Sequence, residues 1–181
     1  MKVLIIHGWR GFEPEHWQNW LFGKLKEKKV EVYLPILPGF DNPKQKAWVK
    51  ELEKFRPFDE NTVMVGHSLG CAAILRLIEE MGEDESVGKT ILVAGWIGKT
   101  PEYKEINDFY KTDFNWKKIK KKAGKILVVV SKNDPYHSFE NAKEFARLLG
   151  AKLIIEPKDG HINAKSGFGP YPKMLKLVSE I

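Results

Sequence analysis

Short apolar runs alternate along the chain with segments in which apolar residues return every three or four positions. The runs over 2–6, 30–34, 62–66, 89–95, 126–131 and 152–156 are rich in Val, Ile and Leu with little polar alternation. That is the pattern of strands buried on both faces. Between them, the spacing over 14–28, 42–55, 69–81, 137–149 and 170–180 predicts amphipathic helices. Strand–helix alternation of this kind implies an α/β fold: a mostly parallel six-stranded sheet, right-handed crossovers and helices on both faces. No repeat, low-complexity tract or linker interrupts the pattern, so residues 1–181 are expected to form one domain.

Chain breakers fall where this scheme needs them. Pro35, Pro38 and Gly39 end the second strand, Asn42-Pro43 is placed to open the next helix, and Gly82 and Gly150 to close two others. The segment 97–125 is the least regular, with Tyr103, Phe109, Tyr110, Phe114 and Trp116 set among many charges. It reads either as a small cap over a pocket or as a packed excursion along the surface. Its modest length favours the excursion.

Composition narrows the class. With 43% hydrophobic and 30% charged residues, the chain is an ordinary globule and not a disordered one. The single cysteine, Cys71, leaves no intrachain disulfide and fits a reducing compartment. The N-terminal run Val3-Leu4-Ile5-Ile6 is too short for a signal-peptide core, and no run approaches membrane-spanning length. A cytoplasmic protein without a membrane partner is expected. The net charge of +6 raises nucleic acid as a partner, and the densest patch is Lys117, Lys118, Lys120, Lys121, Lys122 and Lys125. Trp116, Ile119 and Ala123 recur through it at helical spacing, which makes the patch the solvated face of a helix. Only Arg10, Arg56, Arg76 and Arg147 are arginines, the residue that most often reads bases, so no nucleic-acid partner is expected.

Chemistry enters at Gly66-His67-Ser68-Leu69-Gly70, between the apolar run Thr62-Val63-Met64-Val65 and the helical Cys71-Ala72-Ala73-Ile74-Leu75. This is a G-x-S-x-G nucleophile elbow in the strand–turn–helix setting that the motif requires. A serine hydroxyl is a weak nucleophile and needs a base and a group to orient that base. Asp134 follows the fifth strand and His161 follows the sixth. In a parallel sheet those loops open at one edge, which brings Ser68, Asp134 and His161 together. Each has an ordinary explanation alone: Asp-Pro starts turns, and a loop histidine often has no chemical role. Three such residue types, in this order after these strands, make the triad the better account. The backbone N–H groups of Leu69 and Trp9 are the candidate oxyanion donors. Trp9, Trp96, Tyr136 and Phe168 are the candidate pocket lining. His67 is read as support for the elbow, and His16 and His137 as exposed or partly packed. No histidine pair has metal-ligand spacing and Cys71 has no cysteine partner, so no metal or other cofactor is expected. Cys71 is read as a small apolar group packed on the sheet.

With these residues in view, the chain resembles a family of small, nearly lidless α/β-hydrolases. These are the serine hydrolases typified by the bacterial YdeN-like proteins and the vertebrate retinoblastoma-binding serine hydrolase. The resemblance spans almost the whole chain. It includes His7-Gly8, His16-Trp17 with Trp20, Pro35, the elbow, and Asn115-Trp116 with Lys118-Ile119. It continues through Asn133-Asp134-Pro135 and Gly160-His161-Ile162-Asn163 to the tail Gly167-Phe168-Gly169-Pro170-Tyr171-Pro172. It implies a minimal α/β-hydrolase fold with little or no lid, esterase-like or amide-hydrolysing chemistry on a small molecule, and Ser68, Asp134 and His161 at the catalytic positions. One departure matters. The vertebrate member's link to retinoblastoma protein uses an L-x-C-x-E stretch, whereas Leu69-Gly70-Cys71 here is followed by Ala72-Ala73. No retinoblastoma-type partner is expected. A second function class, a catalytically silent binding or scaffold protein on the same fold, is kept open by the basic surface and by the lack of a substrate-specific motif. Acyl transfer to an acceptor other than water is a narrower variant of the enzymatic reading.

Overall fold

The computed structural model of the chain describes residues 1–11 and 13–180. Six strands, β1 (Lys2–Ile6), β2 (Glu31–Tyr33), β3 (Thr62–His67), β4 (Lys89–Val93), β5 (Lys125–Ser131) and β6 (Lys152–Glu156), form one sheet in the order β2-β1-β3-β4-β5-β6. Every pairing is parallel. Each strand sits within a residue or two of its apolar run. β4 stops early because the chain turns at Ala94, whose φ is 52°.

The unbroken apolar runs resolve into two alternating faces. Val3, Ile5, Val63, Val65, Ile91, Val93, Leu127 and Val129 belong to one core cluster, with Trp17, Leu21 and Leu25 of α1 (Trp17–Glu27) and Met174 and Val178 of α6 (Pro172–Ser179). Leu4, Ile6, Met64, Leu92, Val128 and Val130 belong to the other. That face packs against α2 (Gln45–Glu53), α3 (Leu69–Glu79), α4 (Trp116–Lys122) and α5 (Phe139–Leu149). α3 crosses the middle of the sheet and is apolar almost all round, as a helix enclosed on every side must be.

Helix starts differ from the sequence pattern where a side chain from elsewhere supplies the cap. α2 opens at Gln45 and not at Asn42-Pro43, because the Gln45 N–H donates to Asp108 Oδ2 at 2.7 Å. α1 opens at Trp17 behind His16, whose Nδ1 accepts the Gln18 N–H at 3.3 Å. Ser138 caps α5 in the same way, and Gly150 closes it in the left-handed conformation expected of it. Gly82 does not close α3, which ends at Glu79.

The irregular segment is a packed excursion. A 3₁₀ turn over Lys104–Tyr110 leads into α4, and Ile106, Phe109, Tyr110 and Phe114 are buried. Arg76 of α3 fastens it. Its side chain is 4% exposed and donates to the carbonyls of Phe109, Thr112 and Asp113, pairs with Glu79 at 2.7 Å, and lies over the Phe114 ring at 3.9 Å. The lysine patch of α4 also needs a correction. Lys122 is buried, with Nζ donating to the carbonyls of Gly82, Glu83 and Glu85, and Lys118 reaches the Glu79 carbonyl. Lys118 caps the last residue of α3 and Lys122 holds the loop that follows it, so neither belongs to a solvated face.

Replacing Arg76 by Met leaves three carbonyls and a carboxylate without their donor, and is expected to lower stability by roughly 3 kcal/mol. Urea denaturation measures this, and an unchanged midpoint would show that the excursion is held by its aromatic packing alone.

Candidate active site

The elbow is a matter of space before it is a matter of chemistry. Ser68 joins β3 to α3 with φ 55° and ψ −123°, a conformation that costs a non-glycine residue about 1–3 kcal/mol. It persists because α3 comes down hard on the sheet. A Cβ at Gly70 would lie 2.5 Å from the Ile6 carbonyl oxygen and 2.6 Å from that of His7. One at Gly66 would lie 2.8 Å from Ile74 Cδ1. Both flanking positions therefore require glycine. Ser68 itself is held by its N–H, which donates to the Val93 carbonyl at 2.8 Å.

The loops after β5 and β6 meet Ser68 at the sheet's C-terminal edge. His161 Nε2 lies 2.9 Å from Ser68 Oγ, and Nδ1 lies 2.7 Å from Asp134 Oδ2. The second carboxylate oxygen of Asp134 accepts the Tyr136 N–H at 2.9 Å. With the His161 and Asp134 side chains only 9% and 7% exposed, the pair is shielded from competing water. The carboxylate fixes the proton on Nδ1, which leaves Nε2 to accept from the serine hydroxyl.

Sequence reading passed over the residues that tie the two loops together. Ser131 Oγ accepts the Asp159 N–H at 2.9 Å and donates to Asn133 Oδ1 at 2.6 Å. That oxygen also accepts the Gly160 N–H at 2.9 Å. The Ser131-Lys132-Asn133 run before Asp134 was the available signal, since short polar side chains after a strand commonly bind neighbouring loops.

Around the nucleophile the candidate lining residues divide. The Tyr136 ring stands edge-on to His161 at 4.7 Å and meets Tyr103 at 6.1 Å, and Tyr103 meets Trp9 at 5.5 Å. Trp96 is buried and stacks at 4.0 Å on His137, whose ring is 6.3 Å from His161. Phe168 lies apart from this group. Its ring packs on Tyr171 beside the α1–α6 cluster, and its carbonyl accepts the Trp17 N–H. Tyr103, from the excursion, bridges the Trp9 and Tyr136 rings instead. Gly8 approaches so closely that a Cβ there would sit 3.0 Å from Ser68 Cβ. Its carbonyl is pinned by His7 Nδ1 at 2.6 Å and by the Gly11 N–H at 3.3 Å. His7 Nε2 in turn accepts the Leu37 N–H at 2.9 Å, so the ring proton sits on Nδ1.

Burial holds the surrounding histidines neutral. It is the first cause of the lowered pKa of His7, His16, His67 and His137, and it brings His16 and His137 to about 4. The charge of His161 adds to the effect on His16, His67 and His137. His16 is therefore buried and not exposed. Cys71, 1% exposed and with Sγ against the Gly66 and Val93 carbonyls, has its thiol pKa pushed up by burial and is no nucleophile. Among the described residues, no group of three or more His, Cys, Asp or Glu is arranged to hold a metal ion. Among the described residues, no helix is long and apolar enough to cross a membrane.

These shifts set a pH dependence of stability. A histidine of pKa about 4 when folded and 6.5 when unfolded takes up a proton on unfolding between those values. Stability is therefore full at pH 7 and is expected to fall as pH drops from 6.5 toward 4, with His16 alone contributing on the order of 3 kcal/mol. Denaturation midpoints taken across that range measure it, and a His16→Gln variant should show a shallower slope.

Comparisons with known proteins identify the family. The serine hydrolase family model matches residues 3–180. The chain is 32% identical to YdeN of Bacillus subtilis (strain 168) over 179 residues, covering 98% of this chain and 94% of that protein. It is 25% identical to the serine hydrolase RBBP9 of Rattus norvegicus over 164 residues, covering 88% and 86%. The crystal structure of the B. subtilis ydeN gene product superposes with a TM-score of 0.92 over 98% of this chain and 96% of that one, at 31% identity. Polyneuridine aldehyde esterase, at 15% identity and a TM-score of 0.70 over 99% and 100% of the two chains, shares the fold. The chain belongs to the serine hydrolase family and has the α/β-hydrolase fold.

Proposed function

We propose that this hydrolase cleaves an ester or amide bond of a small substrate through Ser68, His161 and Asp134, by way of an acyl-enzyme. The observation that carries the reading is the unbroken relay from Ser68 Oγ through the His161 ring to Asp134, at 2.9 and 2.7 Å, with the serine held at a strained apex.

His161 Nε2 takes the hydroxyl proton as Ser68 Oγ attacks the carbonyl carbon. Asp134 stabilises the imidazolium that results, and the tetrahedral oxyanion is held by the N–H groups of Leu69 and Trp9. Leu69 is the first residue of α3, where an N–H has no partner within the helix. The peptide joining Gly8 to Trp9 is planar and trans, so pinning the Gly8 carbonyl on His7 and Gly11 fixes the opposite direction for the Trp9 N–H. Each such donor contributes about 2.7–4 kcal/mol of transition-state stabilisation. The imidazolium then protonates the leaving group, the ester oxygen or amide nitrogen, as the bond to the carbonyl carbon breaks. Water, deprotonated by His161, attacks the acyl-enzyme, and the carboxylic acid departs as Ser68 recovers its proton. Trp9, Trp96, Tyr103 and Tyr136 give the acyl or leaving group apolar walls.

A fluorophosphonate probe is expected to label Ser68, and Ser68→Ala to lose the label and at least about 1,000-fold in kcat on p-nitrophenyl acetate. Wild-type turnover by Ser68→Ala would overturn the reading. An unlabelled, inactive wild-type protein would favour the silent binding protein.

A further inference from the structure

The loop that presents His161 has an unusual backbone on both sides of that residue. Gly160 has φ 53° and Ile162 has φ 49°. Ile162 is β-branched and fully buried, and a side chain of that kind rarely adopts the left-handed region. Such a backbone persists only where its surroundings over-determine it. Two side chains do so from the α1 side of the sheet. His67 Nε2 donates to the His161 carbonyl at 2.9 Å, and Trp17 Nε1 donates to the Ile162 carbonyl at 2.9 Å. Consecutive carbonyls are thus captured by two rings that meet nearly at right angles, 6.0 Å apart. On the other side of the loop, Ser131 and Asn133 hold the N–H groups of Asp159 and Gly160.

The chemistry of His67 follows from its partner. A carbonyl only accepts, so the proton must sit on Nε2. The ring is fully enclosed, with its centroid 5.1 Å from that of His161 and 4.9 Å from that of His16. Burial first, and after it the repulsion that a proton on His161 or His16 would exert, keep it in the neutral form. Neutral, it adds no repulsion to the charge that His161 acquires during turnover.

We propose that His67 is a positioning residue for the reaction: by fixing the His161 carbonyl it aims the His161 ring at Ser68. It does not react. Support of the elbow is the local role its sequence position suggests, but its side-chain hydrogen bond goes to a residue 94 positions away. A misplacement of the base by about 1 Å costs on the order of 100-fold in rate. The inference rests on the Ser68–His161–Asp134 reading above.

The test uses the full chain and p-nitrophenyl acetate. His67→Gln keeps an amide N–H of similar reach, His67→Leu has none, and Trp17→Phe removes only the indole donor to the neighbouring carbonyl. His67→Leu is expected to lose about 10- to 100-fold in kcat with KM within about twofold. Fluorophosphonate labelling of Ser68 should slow in parallel, and His67→Gln should recover most of both. Trp17→Phe should show a smaller loss of the same kind, which keeps the test decisive if His67→Leu does not fold. Wild-type kcat in folded His67→Leu, or in folded Trp17→Phe should His67→Leu not fold, would overturn the proposal. So would a His67→Gln variant as slow as His67→Leu. Ser68→Ala, run alongside, separates the two failures. Equal rates in wild type and Ser68→Ala remove the triad reading and this proposal with it. Ser68-dependent turnover that His67→Leu leaves unchanged removes the positioning role alone.

Discussion

The close approach of α3 to the strands beneath it governs the rest of the molecule. With no side chain at Gly66 or Gly70, the helix N-terminus settles onto the carbonyls of Ile6 and His7, and the connecting residue is forced out of the sheet. One steric fact thereby sets three others. Ser68 projects toward the loops of β5 and β6, Leu69 becomes the first residue of α3, and the Gly8 backbone lies against the serine. Adding even a methyl group at either glycine would push the helix away and separate all three together.

Much of the fold was legible because a sheet covered on both faces writes itself as uninterrupted apolar runs, and β1, β3 and β6 fall almost where those runs do. The meeting of Ser68, His161 and Asp134 was legible for a related reason. Parallel strands deliver their following loops to one edge, so order along the chain converts directly into proximity. What escaped were partnerships between residues far apart that leave no local pattern. Asp108 caps a helix 63 residues away, and Arg76 binds carbonyls more than 30 residues downstream. Lys122 looks in sequence like one more exposed lysine and is consumed by the loop after α3. Phe168 shows the opposite error. This aromatic residue, near His161 in sequence, faces the other core cluster, and Tyr103, from the least regular segment, meets the Tyr136 ring that stands on His161 instead.

The same contrast separates the histidines. Sequence position singles out His161 and assigns the others no protonation state, whereas burial keeps four in their neutral form and hydrogen bonds assign ring protons to individual nitrogens. His7 donates through Nδ1 and His67 through Nε2 because their partners are carbonyls in different directions. Neutral imidazoles are thus used here as rigid, flat amides, placed where a longer side chain would not stay still.

Arg76 gives the excursion three backbone anchors and an aromatic seat, and the excursion in turn carries Tyr103. A wall fastened in this way has its shape before any substrate arrives. Encounter then requires no opening step, and little ordering entropy is left for the substrate's binding energy to offset. A wall already in place favours substrates by their fit to its standing shape.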